Sequence, residues 1–394
     1  MVLYPVIAEL AHALLNLVAA KESWFRKIKS DQSWKEAAPL KGKVIWMHAA
    51  SLGEFEMGRP VLEEFLLAHP DWSAVTTFFS PSGYEPRKAY PRARVYYLPF
   101  DAPTEVSKWL DYCNPSLALF IRYDLWPNHI NALKKRNIPT SVLAMSANSR
   151  PWFLHYSLPL IRKVFTTGIS LWGVVEQTDA AVLSAAGVHS SVLGNPKFDY
   201  ATGLVDQNPP PAFQRWKDVQ RKPVLLVGSA HKSDLEFLCE ADLHEYCIWV
   251  VPHKPSELVD LSPYFDKELE VAVDSEAPRS TDLLLVQSFG VLRSLYSLAD
   301  HIFVGGGFGK AVHNVLEVIA AGKAASSGPH TEKLPENKFL IQKGLLFPCS
   351  NKEELVPYLN RDLSLEKEKA FNLLKAHSGV IANMLEALEQ TVKF

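Results

Sequence analysis

Cysteine is scarce in this sequence: four stand among 394 residues, Cys113, Cys239, Cys247 and Cys349, and they form no C-x-x-C pair or metal-ligand spacing. That excludes a disulfide-stapled secreted scaffold and fits a reducing compartment. An excess of one charge is also missing, since 41 Lys and Arg face 43 Asp and Glu for a formal net charge of −2. A broadly basic face is therefore excluded, and no nucleic-acid partner is expected. Internal repeats and low-complexity tracts are absent as well.

Only residues 2–20 form a long, mostly apolar stretch, and it lacks the cationic start and small-residue cleavage site of a signal peptide. Glu9, His12 and Asn16 draw one polar stripe down it, the pattern of a helix lying in an interface or against a protein surface. Lys21, Trp24, Phe25, Arg26, Lys27 and Lys29 then mix cations with aromatic rings, which suits a headgroup layer. Residues 1–30 are accordingly read as a membrane-associating amphipathic segment. A helix packed on its own domain and a true span are the alternatives.

What the chain does have is a repeated rhythm. Apolar runs of strand length occur at 44–47, 74–79, 95–98, 117–121, 141–145 and 171–175, with helical patterns between them. This alternation predicts a parallel sheet wrapped by helices. At "DQNPPPAFQRW", residues 206–216, three consecutive prolines exclude a helix interior or a central strand. The rhythm then restarts at 224–227, 248–251, 283–286 and 302–304. Two Rossmann-like domains follow, at 31–205 and 206–364, with C-terminal helices over 365–394.

Ligands of open α/β sheets bind beyond the carboxyl ends of the strands. "HAASLGEF", residues 48–55, puts Glu54 just past the first run. In the second half, "VGGGFGKAVHNVLE", residues 304–317, ends a strand with four glycines in five positions before a helix expected near Asn314. Glycines let a backbone approach a ligand closely, and a helix start favours phosphate, so a nucleotide is the natural reading. Ala311 after Gly309-Lys310 rules out a P-loop, and Asn314 with Glu317 also fits a capping box. "GSAHKSD" (228–234), "VPHKPSE" (251–257) and "QSFG" (287–290) are polar loops at three further strand ends.

Together these stretches resemble the Kdo transferases of lipopolysaccharide assembly, glycosyltransferases acting with 3-deoxy-D-manno-octulosonic acid (Kdo). The resemblance rests on "LY" near the start, "HAASLGE", "LPFD" (98–101), "LWPN" (125–128), "GNPKFD" (194–199), "LYSLAD" (295–300), "GGGFG…HNVLE" and "GPH" (328–330). It implies an α/β GT-B fold, with two Rossmann-like domains facing a central cleft, and inverting transfer of Kdo from CMP-Kdo to a lipid A precursor. It implies no cofactor, no metal, and a place at the cytoplasmic leaflet of the inner membrane. Glu54 would be the catalytic base. Donor contacts would fall on Pro252, His253, Phe289, Gly290, Val291, Asn314, Val315, Leu316 and Glu317. Ser51, Gly53, Arg122, Arg150, Lys197, Ser229 and His231 are further candidates for donor or acceptor contact, though ion pairs with Asp124 or Asp199 suit the cations equally well.

The sequence departs from the family's usual pattern in places. Its "P-R-H-P" reads Pro252-His253-Lys254-Pro255 here, and its "M-G-E" acid is Val291. A transferase using another nucleotide sugar or acceptor, or a non-catalytic nucleotide- or lipid-binding relative, are the competing readings. "AASSGPH", residues 324–330, is more polar than a strand there should be.

Overall fold

The computed structural model describes residues 4–6, 8–9, 33–147, 151, 154, 159–205, 208–256, 258, 260–267, 269–272, 278–288, 290–309, 311–363 and 366–392. The rest of the N-terminal segment, Arg150, Phe289 and Lys310 lie outside these residues. Among those described, no helix is long and apolar enough to cross a membrane.

The chain divides into two compact units, one of residues 1–196 with 379–394 and one of 197–378. In the first unit, strands and helices alternate as β1 (Lys43–Ala49), α1 (Leu52–Ala68), β2 (Trp72–Phe78), α2 (Pro81–Arg87), β3 (Arg94–Tyr97), α3 (Pro103–Cys113), β4 (Leu117–Ile121), α4 (Pro127–Lys135), β5 (Thr140–Met145), α5 (Pro159–Gly168), β6 (Leu171–Val174), α6 (Gln177–Ala185) and β7 (Ser191–Val192). The second unit runs α7 (Lys197–Thr202), α8 (Pro211–Asp218), β8 (Val224–Ala230), α9 (Lys232–Leu238), β9 (Cys247–Pro252), β10 (Leu269–Ala272), β11 (Leu283–Val286), α10 (Leu292–Leu295), β12 (His301–Val304), α11 (Leu316–Ala320), β13 (Ala325–Ser327), α12 (Pro335–Gln342), β14 (Leu346–Pro348), α13 (Lys352–Leu359) and α14 (Glu366–Ala376). A last helix, α15 (Val380–Thr391), returns to the first unit.

Each sheet has seven strands, ordered β3-β2-β1-β4-β5-β6-β7 and β10-β11-β9-β8-β12-β13-β14, and every pairing is parallel. Strand direction of growth reverses between β1 and β4 in the first and between β8 and β12 in the second. These are the switch points at which a doubly wound sheet opens a crevice. β1 shows why the sequence adopts this form: Val44 and Trp46 enter one core, Ile45 and Met47 the opposite one, and all four are fully buried. Helices must therefore cover both faces.

All ten apolar runs are strands. Sequence reading missed the short β7, β10, β13 and β14, and it set the boundary late. Phe198 and Ala201 of α7 already belong to the core of the second unit, so that unit starts at Lys197, upstream of the proline run. The tail forms the expected helices but divides between the units: Ala370, Leu373 and Leu374 of α14 pack in the second unit, whereas Val380, Met384 and Leu388 of α15 pack on the first sheet. Gly379 makes the break, with φ +84.

The glycine-rich run after β12 packs on its own protein. A Cβ at Gly305 would lie 2.5 Å from the Ser229 carbonyl oxygen, and one at Gly307 would lie 2.7 Å from the Gly328 backbone. These glycines permit two strand-end loops to touch. They also explain "AASSGPH": β13 is only three residues long, and the Ser326 hydroxyl donates to the Phe347 carbonyl at 2.8 Å while that of Ser327 donates to Gly328 at 3.0 Å. Buried polar side chains satisfied this way cost little. Gly307→Ala should lower stability by about 2–3 kcal/mol, the usual scale for overpacking. Gly309→Ala, exposed and with only a 3.5 Å neighbour, should change it by less than about 0.5 kcal/mol. Urea denaturation of both variants checks the pair.

Candidate active site

In the first unit, side chains from β1, β2 and the loops after β1 and β4 meet at the switch point. His48 ends β1 fully buried, with Nδ1 at 2.9 Å from the Thr77 hydroxyl and 3.1 Å from the Thr77 carbonyl oxygen. Its Nε2 lies 3.0 Å from Asp124 Oδ2. A carboxylate only accepts, so the ring carries a proton on Nε2 and donates it to Asp124. Burial works against the charged form of Asp124, but the hydrogen bond and charge of His48 outweigh it and hold this carboxyl below its ordinary value.

Glu54 occupies the first turn of α1, which Ser51 opens in an extended conformation. Its Oε2 accepts the Ala50 N–H at 2.7 Å, while the described residues make no hydrogen bond to Oε1. Burial pushes the Glu54 pKa up and the Asp124 charge adds to this, opposed by His48, the Ala50 N–H and Arg122. The result is a fixed carboxylate with a raised proton affinity and one oxygen free to act. Such a group can take a proton from a weakly acidic hydroxyl.

Arg122 closes the cluster from the end of β4. It has φ +66, an uncommon conformation for a non-glycine residue, and its N–H donates to the Leu143 carbonyl at 2.8 Å. The guanidinium lies over the exposed Tyr123 ring at 5.2 Å, and the buried Nε has no hydrogen-bond partner among the described residues. Ser51 is half-buried and Gly53 exposed beside Glu54, with nothing within 4 Å of where a Gly53 Cβ would stand. Arg150 lies outside the described residues.

A second cluster forms in the second unit at its own switch point. Ser229, with φ +53, ends β8, and His231 precedes α9. The Asp234 carboxylate, fully buried, accepts the backbone N–H groups of His231 and Gly306 at 2.9 Å each, tying the β8 loop to the glycine run. Pro252 is buried at the end of β9 and His253 exposed just beyond it. His313, which sequence reading did not single out, joins them. Its Nε2 is 2.8 Å from Nε2 of His231, and its ring centroid is 4.4 Å from that of His253. Burial, then the neighbouring His253 and His231, bring the His313 pKa down to about 4.

The remaining sequence candidates divide. Asn314 and Glu317 do not form the reciprocal capping box, since Val315 is the N-cap and has no side-chain cap bond; instead Asn314 Oδ1 accepts the Leu316 N–H at 3.1 Å, and its amide donates to Glu317 at 3.3 Å. The helix opens at Leu316, two residues later than expected, and Val315 and Leu316 send their side chains into the core. Burial raises the pKa of Glu317, against Arg293 at 3.7 Å. Gly290, with φ +78, is exposed, and the half-buried Val291 caps the short α10. Phe289 lies outside the described residues. Lys197 pairs at 2.5 Å with the buried Glu336 of its own unit, a partner different from Asp124 or Asp199.

Asp124→Asn removes a negative neighbour of Glu54, so the Glu54 titration should move to lower pH. Carbon-13 NMR of the Glu54 carboxyl, assigned with Glu54→Gln, measures the direction.

Comparison with known proteins now bears on these clusters. Residues 22–200 match the family described as 3-Deoxy-D-manno-octulosonic-acid transferase (kdotransferase). The 3-deoxy-D-manno-octulosonic acid transferase of Haemophilus influenzae is 26% identical over 370 residues, covering 88% of this chain and 86% of its own. That of Aquifex aeolicus is 26% identical, covering 82% and 87%. Among solved structures, Acinetobacter baumannii MurG superposes with a TM-score of 0.55 at 12% identity, covering 88% of this chain and 99% of its own. Anabaena Alr3699/HepE in complex with UDP gives 0.59 at 11%, covering 89% and 100%. At such identity these two speak for the fold alone, which is GT-B.

Proposed function

We propose that this chain, a glycosyltransferase enzyme related to the Kdo transferases, moves Kdo from CMP-Kdo onto a glucosamine hydroxyl of a lipid A precursor with inversion. The observation that carries the reading is Glu54: a carboxylate with raised proton affinity, anchored through one oxygen, at the switch point of the first sheet. A sugar hydroxyl is a poor nucleophile until a base removes its proton. In the proposed step the acceptor oxygen bonds to the anomeric carbon as Glu54 takes the proton, and the bond from that carbon to the CMP phosphate oxygen breaks on the opposite face. His48 and Asp124 hold the surroundings of the base rather than touching the sugar.

Arg122 is suited to an acidic sugar, since its buried Nε lacks a hydrogen-bond partner among the described residues. A carboxylate or a phosphate would satisfy it. On the second unit, the loops after β8, β9 and β12 would carry CMP, with Glu317 accepting from ribose hydroxyls and protein groups, rather than a metal, balancing the departing phosphate. The acyl chains of such an acceptor remain in the bilayer. The amphipathic residues 1–30 would therefore bring the enzyme to the cytoplasmic leaflet of the inner membrane. Tyr4 and Glu9 support a segment lodged beside the first unit, donating to Asp101 at 2.9 Å and accepting from the Thr104 N–H at 2.8 Å respectively.

Purified enzyme incubated with CMP-Kdo and a tetra-acylated lipid A precursor should release CMP and add Kdo to the acceptor mass. Glu54→Gln should lower kcat by about 10²–10⁴-fold while donor binding persists. The variant should also be more stable at neutral pH, by about 0.5–1 kcal/mol, because it no longer buries a charge. Turnover only with a UDP sugar would overturn the donor assignment, and full activity of Glu54→Gln would overturn the base.

A further inference from the structure

We infer that His231, His253 and His313 form a binding site for one divalent transition-metal ion. Each offers one ring nitrogen, and the three atoms lie within 4.8 Å of one another. They come from three different strand ends, after β8, β9 and β12, which are neighbours in the sheet. The placement is thus a product of the fold rather than of one flexible loop.

The rings fit an ion with a small adjustment. His231 and His313 are nearly coplanar, 9° apart, with their centroids at 5.1 Å and their Nε2 atoms at 2.8 Å. This is the head-to-head geometry of one N–H···N bond, in which a proton occupies the line between two lone-pair positions. Tetrahedral zinc bound to both would need its nitrogens about 3.3 Å apart, from metal–nitrogen bonds of about 2.05 Å. Opening the pair by about half an ångström replaces the shared proton with a metal. His253 stacks beside both rings, at 4.8 and 4.4 Å, and is exposed, so it can swing its nitrogen to the third position while water takes the fourth.

The surroundings suit a borderline-soft cation. Imidazole ligands favour zinc, copper, nickel or cobalt over magnesium and calcium, which prefer oxygen. Asp234 accepts the backbone N–H groups of His231 and of Gly306 in the glycine run, so the His231 ligand stands on restrained backbone. His313 is restrained as well, its N–H donating to the Gly305 carbonyl at 3.0 Å. The ion would sit on the loops proposed to carry CMP but takes no part in the transfer step, in which protein groups balance the departing phosphate.

The test uses the full-length protein, stripped with a chelator and titrated with Co²⁺ and then Zn²⁺. One Co²⁺ per chain should bind with the visible absorption of a four-coordinate centre, and Zn²⁺ should displace it. His313→Gln and His253→Arg should each weaken Zn²⁺ binding by about 100-fold or more in calorimetry. Zinc should also raise the melting temperature of the wild type and not of either variant. His253 is exposed, so its variant tests the site even if His313→Gln fails to fold. His244→Gln supplies the control for adventitious surface binding, because exposed His244 lies beside the carboxylates of Asp242 and Glu245. No stoichiometric metal, or binding that survives both variants and vanishes in His244→Gln, would overturn the site.

Discussion

Asp101 is the side chain on which the first candidate site depends. It is 3% exposed, and its carboxylate accepts the backbone N–H groups of Asn128 and His129 at 3.1 and 2.9 Å, the His129 ring at 2.7 Å and the Tyr4 hydroxyl at 2.9 Å. The Asn128 amide returns to its carbonyl oxygen. A buried carboxylate is tolerable only when its lone pairs are filled in this way. The first-turn donors of α4 are thereby satisfied, and Pro127 needs no partner for a missing N–H. The loop between β4 and α4 is held at both ends, and it is this loop that carries Arg122 and Asp124 to Glu54.

The same network gives three stretches of the family resemblance a physical meaning. "LY", "LPFD" and "LWPN" contribute Tyr4, Asp101 and Asn128, which meet at one point although they are far apart in sequence. None of them needs to touch substrate. Trp126 likewise packs on Phe79, with ring centroids 5.5 Å apart. The second unit has its own version, in which buried Asp234 ties the β8 loop to Gly306. In both units one buried carboxylate converts mobile strand-end loops into a fixed frame.

Sheet and helix order was legible because buried parallel strands are written as apolar runs, with nothing else in the chain resembling them. The missed strands are the ones where that signal fails. β13 reads Ala-Ser-Ser and is stable because neighbouring backbone accepts its hydroxyls, a partnership that no local pattern encodes. Glu54 could be found from its place after β1 and from the resemblance. His48, Thr77 and Asp124 could not be joined in advance, since their contacts span 29 and 76 residues and depend on strand order. The packing role of the glycine run was hidden for a related reason: a glycine that admits a ligand and one that admits another loop look identical in sequence. Only the position of Gly328 distinguishes them.

Where the pattern of the Kdo transferases that this sequence resembles has an arginine, this chain has His253, which exchanges a permanent cation for a titratable ring. A guanidinium is a permanent cation with a rigid fork for phosphate, whereas an imidazole is charged only when it binds a second proton. Burial works against that proton at His313, and the neighbouring His253 and His231 add repulsion, bringing its pKa down to about 4. Permanent positive charge in the second unit must then come from side chains such as Arg293, which stacks on Tyr200 at 5.3 Å and faces Glu317 at 3.7 Å. That pairing spends part of its charge within the protein. An anion binding there would compete with Glu317 for Arg293, so part of the positive charge in this unit is already committed before a ligand arrives.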